Sequence, residues 1–445
     1  MRELLATHCE LLAARQLKAG VEWRPVHPPQ WLARALLGRF EWPELPRLEG
    51  VVEGPVLRAD GSVLQRPGFD PASGLYHAPR GTFEPVPEAP TEEEREMALL
   101  RLTEAVCDFP FASEAHFSAW LAALLTPLAR FAFEGPSPVN LIDANVRGAG
   151  KSLLADVCHL LVTGRPAARM AYVRDEAELR KEITSIALKA RQLVVIDNVS
   201  GPFGSPTLDL ALTTMSWADR LLGQNLDLEL PLAITWYVTG NNIELVGDMP
   251  RRCLHVRLES PEEKPEHRRG FRHPHLMRWL SAERPRLLPA ALTLLAAYHA
   301  AGRPDQGLRP WGSFESWSDL IRGTLVWLGL PDPAATCDQL ESAADAHSAA
   351  LSRLLQGLDE LLASLGGAAT VRKILRTLEE NGARYETLRS ALEDVFPRLK
   401  AGDLPTPVKL GQKLRSLRGR VLGGLCAVPG EKTRQGIAWT VEQRA

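Results

Sequence analysis

The 445-residue chain has few cysteines, few lysines and no long apolar run. Its six cysteines are scattered without a Cys-x-x-Cys pair, so we expect neither a disulfide scaffold nor a zinc site, and a reducing compartment fits best. Because no apolar run reaches the ~18 residues of a membrane span, the sequence predicts no transmembrane helix. The first residues lack an apolar core with a cleavage site, and we therefore expect no signal peptide and a cytoplasmic location.

A large net charge of either sign is also missing. The formal net charge is −2, with 24% charged and 45% hydrophobic residues, which is the composition of a globular protein. Only ten of the 52 basic residues are lysines, a bias that we attribute to a GC-rich genome. The overall balance neither indicates nor excludes a nucleic-acid partner. At roughly 100–200 residues per domain, the length predicts two to four domains.

Turns, prolines and apolar patterns divide the chain into five segments. Residues 1–90 are irregular, with a helical stretch over Glu3–Lys18, short strands between turns and a proline-rich linker over Pro79–Pro90. Residues 91–137 are a helical lead-in, which Thr91 and Glu94 open as a capping box. Residues 138–262 form a core, 263–363 a helical lid and connector, and 364–445 a smaller basic module.

In the core, short apolar runs alternate with helical patterns. This alternation predicts a largely parallel sheet covered by helices, which is an α/β fold. The predicted strands are Val139–Ala144, Ala171–Val173, Leu193–Ile196 and Leu232–Thr239. The predicted helices are Lys151–Val162, Asp175–Lys189 and Thr207–Met215.

A glycine-rich loop, Asn-Val-Arg-Gly-Ala-Gly-Lys-Ser, lies between the first core strand and its helix. In this context it predicts a Walker A loop, whose backbone N–H groups surround phosphates; the alternative is a glycine-rich turn that binds no nucleotide. Lys151 would reach the β- and γ-phosphates and Ser152 would ligate Mg²⁺. The motif's first glycine is replaced by Asn145, a residue type that tolerates left-handed backbone. The candidate nucleotide-binding residues are Asn145, Gly148, Ala149, Gly150, Lys151 and Ser152.

A carboxylate follows the third predicted core strand. Asp197 at this strand end would face Mg²⁺ beside Ser152, and the alternative is a helix cap. Where an ATPase usually carries a second carboxylate, this chain has Asn198. We therefore predict that Glu178, with Glu182 as the alternative, supplies the carboxylate that activates water from the preceding helix.

Further polar residues follow the last predicted core strand. Asn241 is predicted to position water near the γ-phosphate, unless Asn-Asn is a plain turn. Ten residues later, Arg251 and Arg252 are candidates for an arginine that reaches the nucleotide of a neighbouring subunit, the alternative being two solvated arginines. The segment Arg220–Pro231 is a candidate channel hairpin, although it is acidic apart from Arg220.

These motifs, in this order, resemble a known family. Asn-x-x-x-x-Gly-Lys-Ser, Val-Ile-Asp-Asn-Val, Thr-Gly-Asn-Asn and Asp-Met-Pro-Arg-Arg are similar to the motifs of the AAA+ ATPase domain of primase-helicases. Such proteins are carried by phages, plasmids and integrative elements and are loosely related to the viral superfamily three helicases. Arg58–Pro71 and Gly312–Pro333 resemble the regions that flank this ATPase, so the resemblance covers most of residues 55–335.

The resemblance implies an AAA+ P-loop ATPase with mainly helical flanking regions. It implies a ring-forming DNA motor, expected to be hexameric, in the replication of a mobile genetic element. Lys151 and Ser152 would bind ATP and Mg²⁺, and Asp197 would hold the metal. Asn241 would be the sensor, and Arg252, or Arg251, the finger acting on a neighbouring subunit. Because we recognise no metal-binding acidic or cysteine cluster ahead of the loop, we expect any primase to be a separate partner.

Basic residues are concentrated near the carboxyl terminus. Residues 398–445 contain ten basic residues and three acids. A predicted helix over Thr406–Leu417 and a predicted hairpin, Leu422–Val428 and Ile437–Val441 with a turn at Pro429-Gly430, resemble a winged helix. The alternatives are a solvated basic face or a winged helix that contacts protein. The candidate DNA-binding residues are Lys409, Lys413, Arg415, Arg418, Arg420, Lys432 and Arg434.

The sequence therefore predicts an ATP-dependent DNA helicase that couples Mg-ATP hydrolysis to translocation along a single strand. One alternative is a nucleotide-switched initiator that binds DNA without processive unwinding, which Asn198 favours slightly. The other is an AAA+ remodeller of protein assemblies, for which no salt-dependent affinity for DNA is expected.

Overall fold

A computed structural model describes residues 2–18, 20–39, 42, 45–220, 227–397, 399–400, 402–433 and 436–444. The chain separates into two compact units, one of residues 1–51 with 67–76 and one of residues 52–66 with 77–445. None of the helices in the described ranges has the length and apolar character that crossing a membrane requires.

Short elements fill the described part of the first 90 residues. In chain order they are α1 (Arg2–His8), β1 (Leu12–Leu17), β2 (Gly20–Pro25), α2 (Gln30–Leu37), β3 (Gly50–Val52), β4 (Val56–Leu57), β5 (Val63–Leu64), β6 (Gly68–Asp70) and β7 (Leu75–His77). The predicted helix over Glu3–Lys18 is wrong beyond His8, since β1 pairs antiparallel with β2. Helix propensity is worth only a few tenths of a kcal/mol per residue, and cross-strand pairing overrides it here.

The proline-rich segment that precedes the lead-in helices is packed, which corrects its interpretation as a linker. The backbone N–H of Glu84 donates to the carbonyl of Pro285 at 2.9 Å. The backbone N–H of Val86 donates to Gln65 Oε1 at 2.8 Å, and the Val86 side chain is only 4% exposed. Prolines set the path of this segment, but its contacts hold it to the protein.

Two helices lead into the core, α3 (Glu92–Ala105) and α4 (Glu114–Leu128). The predicted capping box is confirmed: Thr91 Oγ1 accepts from the N–H of Glu94 at 3.2 Å, and Glu94 Oε2 accepts from the N–H of Thr91 at 2.8 Å. Helix α4 is apolar and buried over most of its length, because it packs within the main hydrophobic core.

The core alternates strands and helices. Its elements are β8 (Val139–Ala144), α5 (Lys151–Thr163), β9 (Arg169–Met170), α6 (Glu176–Leu188), β10 (Leu193–Val199), α7 (Pro206–Ala211), β11 (Ser216–Arg220), β12 (Asp227–Pro231), β13 (Thr235–Asn241) and β14 (Cys253–Leu258). Five strands form one parallel sheet in the order β14-β8-β13-β10-β9. The predicted parallel sheet is confirmed.

Four details of the core differ from prediction. The second strand is Arg169–Met170, two residues earlier than predicted, and β13 begins at Thr235 rather than at Leu232. Helix α7 ends at Ala211, and β14 was not predicted. Strands β11 and β12 pair antiparallel, so the candidate channel hairpin Arg220–Pro231 contains β12 and only the last residue of β11, and residues 221–226 lie outside the described residues.

The strand order decides which residues meet. Strand β13 lies between β8 and β10, and Asn241 at its end pairs with Ala144, the last residue of β8. Parallel neighbours end at one edge of a sheet, so the loop after β8, Asp197 on β10 and Asn241 lie at the same edge.

Helices follow the sheet. They are α8 (Leu276–Ala300), α9 (Glu315–Trp317), α10 (Gly323–Trp327) and α11 (Ala335–Ser364), with a π turn over Ser318–Arg322 and 3₁₀ turns over Met249–Arg252 and Pro265–His267. The 30-residue helix α11 begins against the sheet, where Thr336 Oγ1 accepts from the N–H of His255 at 3.2 Å. Its carboxyl-terminal half, from Leu351 to Leu362, belongs to a second hydrophobic core.

That second core holds the carboxyl-terminal module. Its elements are β15 (Ala369–Thr370), α12 (Val371–Asn381), a 3₁₀ turn over Gly382–Tyr385, α13 (Glu386–Val395), α14 (Pro407–Ser416), β16 (Val421–Leu422), β17 (Leu425–Thr433) and β18 (Gly436–Gln443). The strands form an antiparallel sheet in the order β15-β18-β17-β16. The turn predicted at Pro429-Gly430 is wrong: both residues lie within β17, where the register with β18 shifts between Pro429 and Lys432.

A buried arginine joins α8 to three other parts of the protein. Arg284 is 5% exposed and donates to the carbonyls of Leu161 at 2.8 Å, Val162 at 3.0 Å, Arg80 at 2.7 Å and Glu53 at 3.3 Å. Burial lowers the pKa of this guanidinium to about 10, so it remains charged at neutral pH. Four backbone acceptors therefore depend on one side chain.

We expect Arg284→Ala to lower the free energy of unfolding by at least about 3 kcal/mol, because buried carbonyl oxygens lose their donors. Urea unfolding followed by tryptophan fluorescence measures the change. The matched control is Arg286→Ala, which removes an exposed arginine that pairs with Glu84 and Glu283. Equal effects of the two substitutions would contradict the role given to Arg284.

Candidate functional site

The loop between β8 and α5 takes a shape that only glycine adopts without strain. Gly148 and Gly150 have φ of 79° and 95°, in the left-handed region. A Cβ on Gly150 would also lie 2.9 Å from Phe109 Cε1. Gly150 directly precedes the first turn of α5, so the loop delivers backbone N–H groups and the positive end of the helix to the same place.

Asn145 acts through its side chain and not through a left-handed backbone. It is not among the described non-glycine residues with positive φ, which corrects the reason predicted for its presence. Its Nδ2 donates to the carbonyl of Ser260 at 3.0 Å, and its Oδ1 accepts from the Ser260 N–H at 3.1 Å. The asparagine therefore ties the start of the loop to the segment after β14.

Lys151 lies beneath the loop, 8% exposed. Its Nζ donates to Asn241 Oδ1 at 2.6 Å and lies 3.5 Å from the carbonyl oxygen of Val146. Burial lowers the pKa of this ammonium, while the carboxylates of Asp143 and Asp197 oppose the shift. The structure thus brings together two residues that the sequence places 90 positions apart.

Ser152, Asp197 and Thr239 form a second contact group at the same edge. Asp197 Oδ1 accepts from Ser152 Oγ and from Thr239 Oγ1, each at 2.6 Å. Burial raises the pKa of Asp197, but these two hydrogen bonds and the charge of Arg169 outweigh it, so the pKa lies below its ordinary value. Asp197 therefore carries a negative charge at neutral pH beside a hydroxyl oxygen.

Thr239, in the Thr-Gly-Asn-Asn motif, has contacts that the sequence did not predict. The Thr239 hydroxyl donates to Asp197 and accepts from the N–H of Asn198 at 2.9 Å. Arg169 was also missed: its guanidinium lies 3.4 Å from Asp197 Oδ2 and contacts Asp156. A two-residue strand such as β9 leaves little apolar pattern by which to find it.

A buried carboxylate supports the loop from below. Asp143, 4% exposed on β8, contacts Arg257 Nη1 at 2.5 Å and lies 3.6 Å from His255 Nε2. Arg257 Nη2 also donates to Asn242 Oδ1 at 2.9 Å, and Asn242 Nδ2 donates to the carbonyl of Asn145 at 3.3 Å. The signal for this group was an aspartate inside an apolar run, because a buried charge requires a partner.

Burial raises the pKa of Asp143, but the nearby imidazole of His255 and the charge of Arg257 outweigh it, so the pKa lies below its ordinary value. Asp143 is therefore ionised at neutral pH.

The two carboxylates that were predicted to activate water, and the asparagine that replaces the usual second carboxylate, are exposed. Asn198 is exposed with φ of 57°. The Glu178 carboxylate is 58% exposed and contacts Lys181 Nζ at 2.6 Å, and Glu182 is exposed. Their positions add no support to a role in activating water, which stays a prediction.

The two candidate finger arginines differ in how far their side chains are exposed to solvent. Arg252 is 20% exposed and donates to the carbonyl of Asp209 at 2.8 Å and to Asp248 Oδ2 at 3.0 Å. Arg251 is 65% exposed and contacts Asp248 Oδ1 at 2.6 Å, and its backbone carbonyl accepts from Trp311 Nε1 at 2.8 Å. Arg251 is therefore the one whose guanidinium faces solvent.

A cavity of about 540 Å³ adjoins the glycine-rich loop. Its size lies within the roughly 300–1,000 Å³ of small-ligand sites. Asp108 braces one wall: its Oδ2 accepts from the N–H of Arg272 at 2.8 Å, and its carbonyl accepts from Arg268 Nη1 at 2.5 Å. The other lining residues include Gly148, Ala149 and Gly150 of the loop and the apolar Phe109, Leu153, Phe271 and Met277.

Three of the candidate DNA-binding residues, Lys409, Lys413 and Arg420, line one cleft. Lys413 is half-buried, with Nζ 3.3 Å from Nε2 of His347 on α11. Lys432 lies on β17, and Arg434 lies outside the described residues. Exposed candidates are Lys409, Arg415, Arg418 and Arg420.

Comparisons with known proteins give distant likenesses only. No family model matches the chain, and no curated protein does. Among solved structures, the A form apo structure of the NrS-1 C-terminal region is 12% identical and covers 99% of this chain and 97% of that chain, with a TM-score of 0.37. The X-ray structure of JCV helicase is 14% identical and covers 57% of this chain and 71% of that chain, with a TM-score of 0.23. TM-scores below 0.5 support no statement about fold or activity. The descriptions of the fold and of the site therefore rest on the geometry of this chain alone.

We expect Asp143→Asn to lower the free energy of unfolding at pH 7 by about 3–5 kcal/mol, because Arg257 loses its buried counter-charge. The lowered pKa means that ionised Asp143 stabilises the fold throughout the range above its unfolded value of 3.8, and this contribution is lost only as the pH falls through the still lower folded value. The difference from wild type should therefore persist over the whole range from about pH 5 to pH 8.

Urea unfolding at several pH values measures this difference. The matched control is Glu259→Gln, since Glu259 is a 56%-exposed partner of the same Arg257 at 3.5 Å. We expect the control to change stability little. A control as damaging as Asp143→Asn would show that the exposed pair carries the stabilisation.

Proposed function

We propose that the chain is a Mg²⁺-dependent AAA+ ATPase that acts as a DNA helicase in the replication of a mobile genetic element. One observation carries the proposal: an ammonium, a hydroxyl, a carboxylate and an amide from three segments of the chain converge beside a left-handed glycine loop. They are Lys151, Ser152, Asp197 and Asn241, joined by the 2.6 Å contacts described above. This is the set of groups that phosphoryl transfer from a nucleotide requires.

The nucleotide fits the groups around the loop. Its phosphates would meet the N–H groups between Gly148 and Ser152, and its base would enter the adjoining cavity beside Phe109 and Phe271. Lys151 would exchange its contact with Asn241 for phosphate oxygens, which leaves the Asn241 amide free to orient water. Each of these steps uses a group that already lies at the loop.

The donor set also fits Mg²⁺. Ser152 Oγ and Asp197 Oδ1 are oxygen ligands 2.6 Å apart, and Mg²⁺ prefers such oxygens together with substrate phosphates. Across the part of the chain that the structure describes, no cluster of three or more His, Cys, Asp or Glu is arranged to hold a metal. Bound Mg²⁺ would neutralise charge that develops on the phosphates. Thr239 and Arg169 would keep Asp197 ionised and oriented toward it.

We propose a ring, with a hexamer as the expected form, in which an arginine acts on the neighbouring nucleotide. Arg251 is the better placed of the two candidates, since its guanidinium is exposed while its backbone is held by Trp311. Arg252 would orient it through their shared partner Asp248. In this arrangement the finger is positioned by a fixed turn and not by a free loop.

DNA is the proposed partner. The carboxyl-terminal module has three helices followed by the β17–β18 pair, with β15 against β18, which we propose to be a winged helix. The excess of basic residues over residues 398–445 suits phosphate contacts. Any primase would be a separate chain.

We expect the purified chain to hydrolyse ATP in the presence of Mg²⁺, with turnover stimulated by single-stranded DNA. Lys151→Ala should lower this turnover at least 100-fold, because the phosphates lose their ammonium. The matched control is Lys189→Ala, an exposed lysine after α6, which should retain wild-type turnover. Phosphate release at saturating ATP, with and without an oligonucleotide, measures both.

Three results would overturn parts of the proposal. Equal turnover in wild type and Lys151→Ala would remove the assigned site. ATP binding without turnover would instead favour the nucleotide-switched initiator. Turnover that DNA does not affect, with no salt-dependent DNA affinity, would favour a remodeller of protein assemblies.

Glu178→Gln is expected to abolish ATP turnover but to keep ATP binding, because the variant lacks the carboxylate predicted to activate water. The same phosphate-release assay measures turnover, and turnover at the wild-type rate would refute the role of Glu178 in activating water.

A further inference from the structure

A large cleft separates the sheet edge from the carboxyl-terminal module. Its volume is about 1310 Å³, above the roughly 300–1,000 Å³ of small-ligand sites. The loops after β10 and β13 form one wall, through Gly201 and Glu244 among others. The ends of α13 and α14 form the other. The size of the cleft favours a polymer over a metabolite.

Positive charge predominates in the cleft. The charged lining residues are four cations and one carboxylate: Arg174, Lys409, Lys413 and Arg420 against Glu244. Lys409, Gln412, Lys413 and Ser416 recur at the three- and four-residue spacing of one helix face, so α14 turns this face toward the core. Cations on both walls suit a chain of phosphates.

The cleft also offers an aromatic surface. Phe396, at the end of α13, is half-buried and lines the same space as Lys409 and Arg420. Bases of a single strand stack on aromatic rings while basic side chains follow the backbone, whereas paired bases of a duplex are not free to stack. The combination favours a single strand.

The floor of the cleft continues the strands that end at the candidate nucleotide site. Gly201 follows Asp197 by four residues and Glu244 follows Asn241 by three. The two loops are bonded to each other: Phe203 N–H donates to the carbonyl of Glu244 at 2.8 Å, and Val246 N–H donates to that of Phe203 at 3.0 Å. The cleft is therefore part of the same structural edge as Lys151.

From these observations we infer that the cleft between the core and the carboxyl-terminal module binds the phosphodiester backbone of single-stranded DNA. The cations of α14 and Arg174 contact the phosphates, and Phe396 stacks on a base. Glu244 opposes the phosphates electrostatically and limits affinity. This site deepens the proposed function, because DNA as its ligand is taken from that function; the cleft itself does not depend on ATP hydrolysis. DNA binding is thereby assigned to the core-facing side of α14, and not to the exposed arginines Arg415 and Arg418.

Fluorescence anisotropy of the full chain with fluorescein-labelled oligothymidylate of about 30 nucleotides tests the cleft. Without nucleotide, the double variant Lys409→Ala, Arg420→Ala should lose at least fivefold in affinity. Its salt dependence should flatten by about 1.4 in log–log slope, at about 0.7 per lost phosphate contact. Because ATP is absent, the result does not depend on whether the chain hydrolyses it.

The matched control is the double variant Arg372→Ala, Lys373→Ala, which removes one arginine and one lysine from the exposed surface of α12 in the same module. It should bind within twofold of wild type. Glu244→Gln should increase affinity, because a charge that repels phosphate is lost. Phe396→Leu should lower affinity without changing the salt slope. Thermal unfolding of each variant confirms that it folds.

Three outcomes would overturn the inference. The first is unchanged binding by the cleft double variant. The second is a loss confined to Arg415→Ala, Arg418→Ala, which would move the site to the exposed arginines at and just after the end of α14. The third is a preference for duplex DNA of the same length over the single strand.

Discussion

The insertion of β13 between β8 and β10 is the constraint on which the candidate site depends. Parallel strands end at a common edge, so this order brings Asn241 within hydrogen-bond distance of Lys151, while Asp197 accepts a hydrogen bond from the neighbouring Ser152. Were β13 at the edge of the sheet, Asn241 would lie a strand away from Lys151. The buried network around Asp143 then fixes the loop against β14. Site geometry thus follows from strand order.

Short-range sequence patterns predicted those features of the site that lie within a few neighbouring residues. The glycine loop and the polar residues after β10 and β13 each stand out within a few positions, and the strand–helix alternation indicated the parallel sheet. Strand β14 was not predicted, because His255 and Arg257 interrupt its apolar run. Their partner Asp143 is more than 100 positions away. No short-range pattern reports that such polar residues are neutralised within a core.

The same limit explains the other differences. The role of Asn145 depends on the backbone of Ser260, 115 positions away. The proline-rich segment was predicted to be a linker because its sequence does not show that Pro285, about 200 positions away, accepts a hydrogen bond from Glu84. Helix α14 carries basic residues on more than one face, so its sequence does not specify which face meets the core. Packing decides that: Leu410 and Leu414 enter the second hydrophobic core, and Lys413 contacts His347 of α11.

Helix α11 has a mechanical consequence. At 1.5 Å per residue, its 30 residues make a rod of about 45 Å. One end is fastened beside the turn that carries Arg251 and Arg252, where Cys337 Sγ contacts the carbonyl of Pro250 at 3.2 Å. The other end is built into the second hydrophobic core. Such a rod is a lever: a tilt of about 5° at the turn displaces the far end by about 4 Å. A small rotation of the turn that carries Arg251 and Arg252 would therefore reach the carboxyl-terminal module as a displacement larger than the length of a covalent bond.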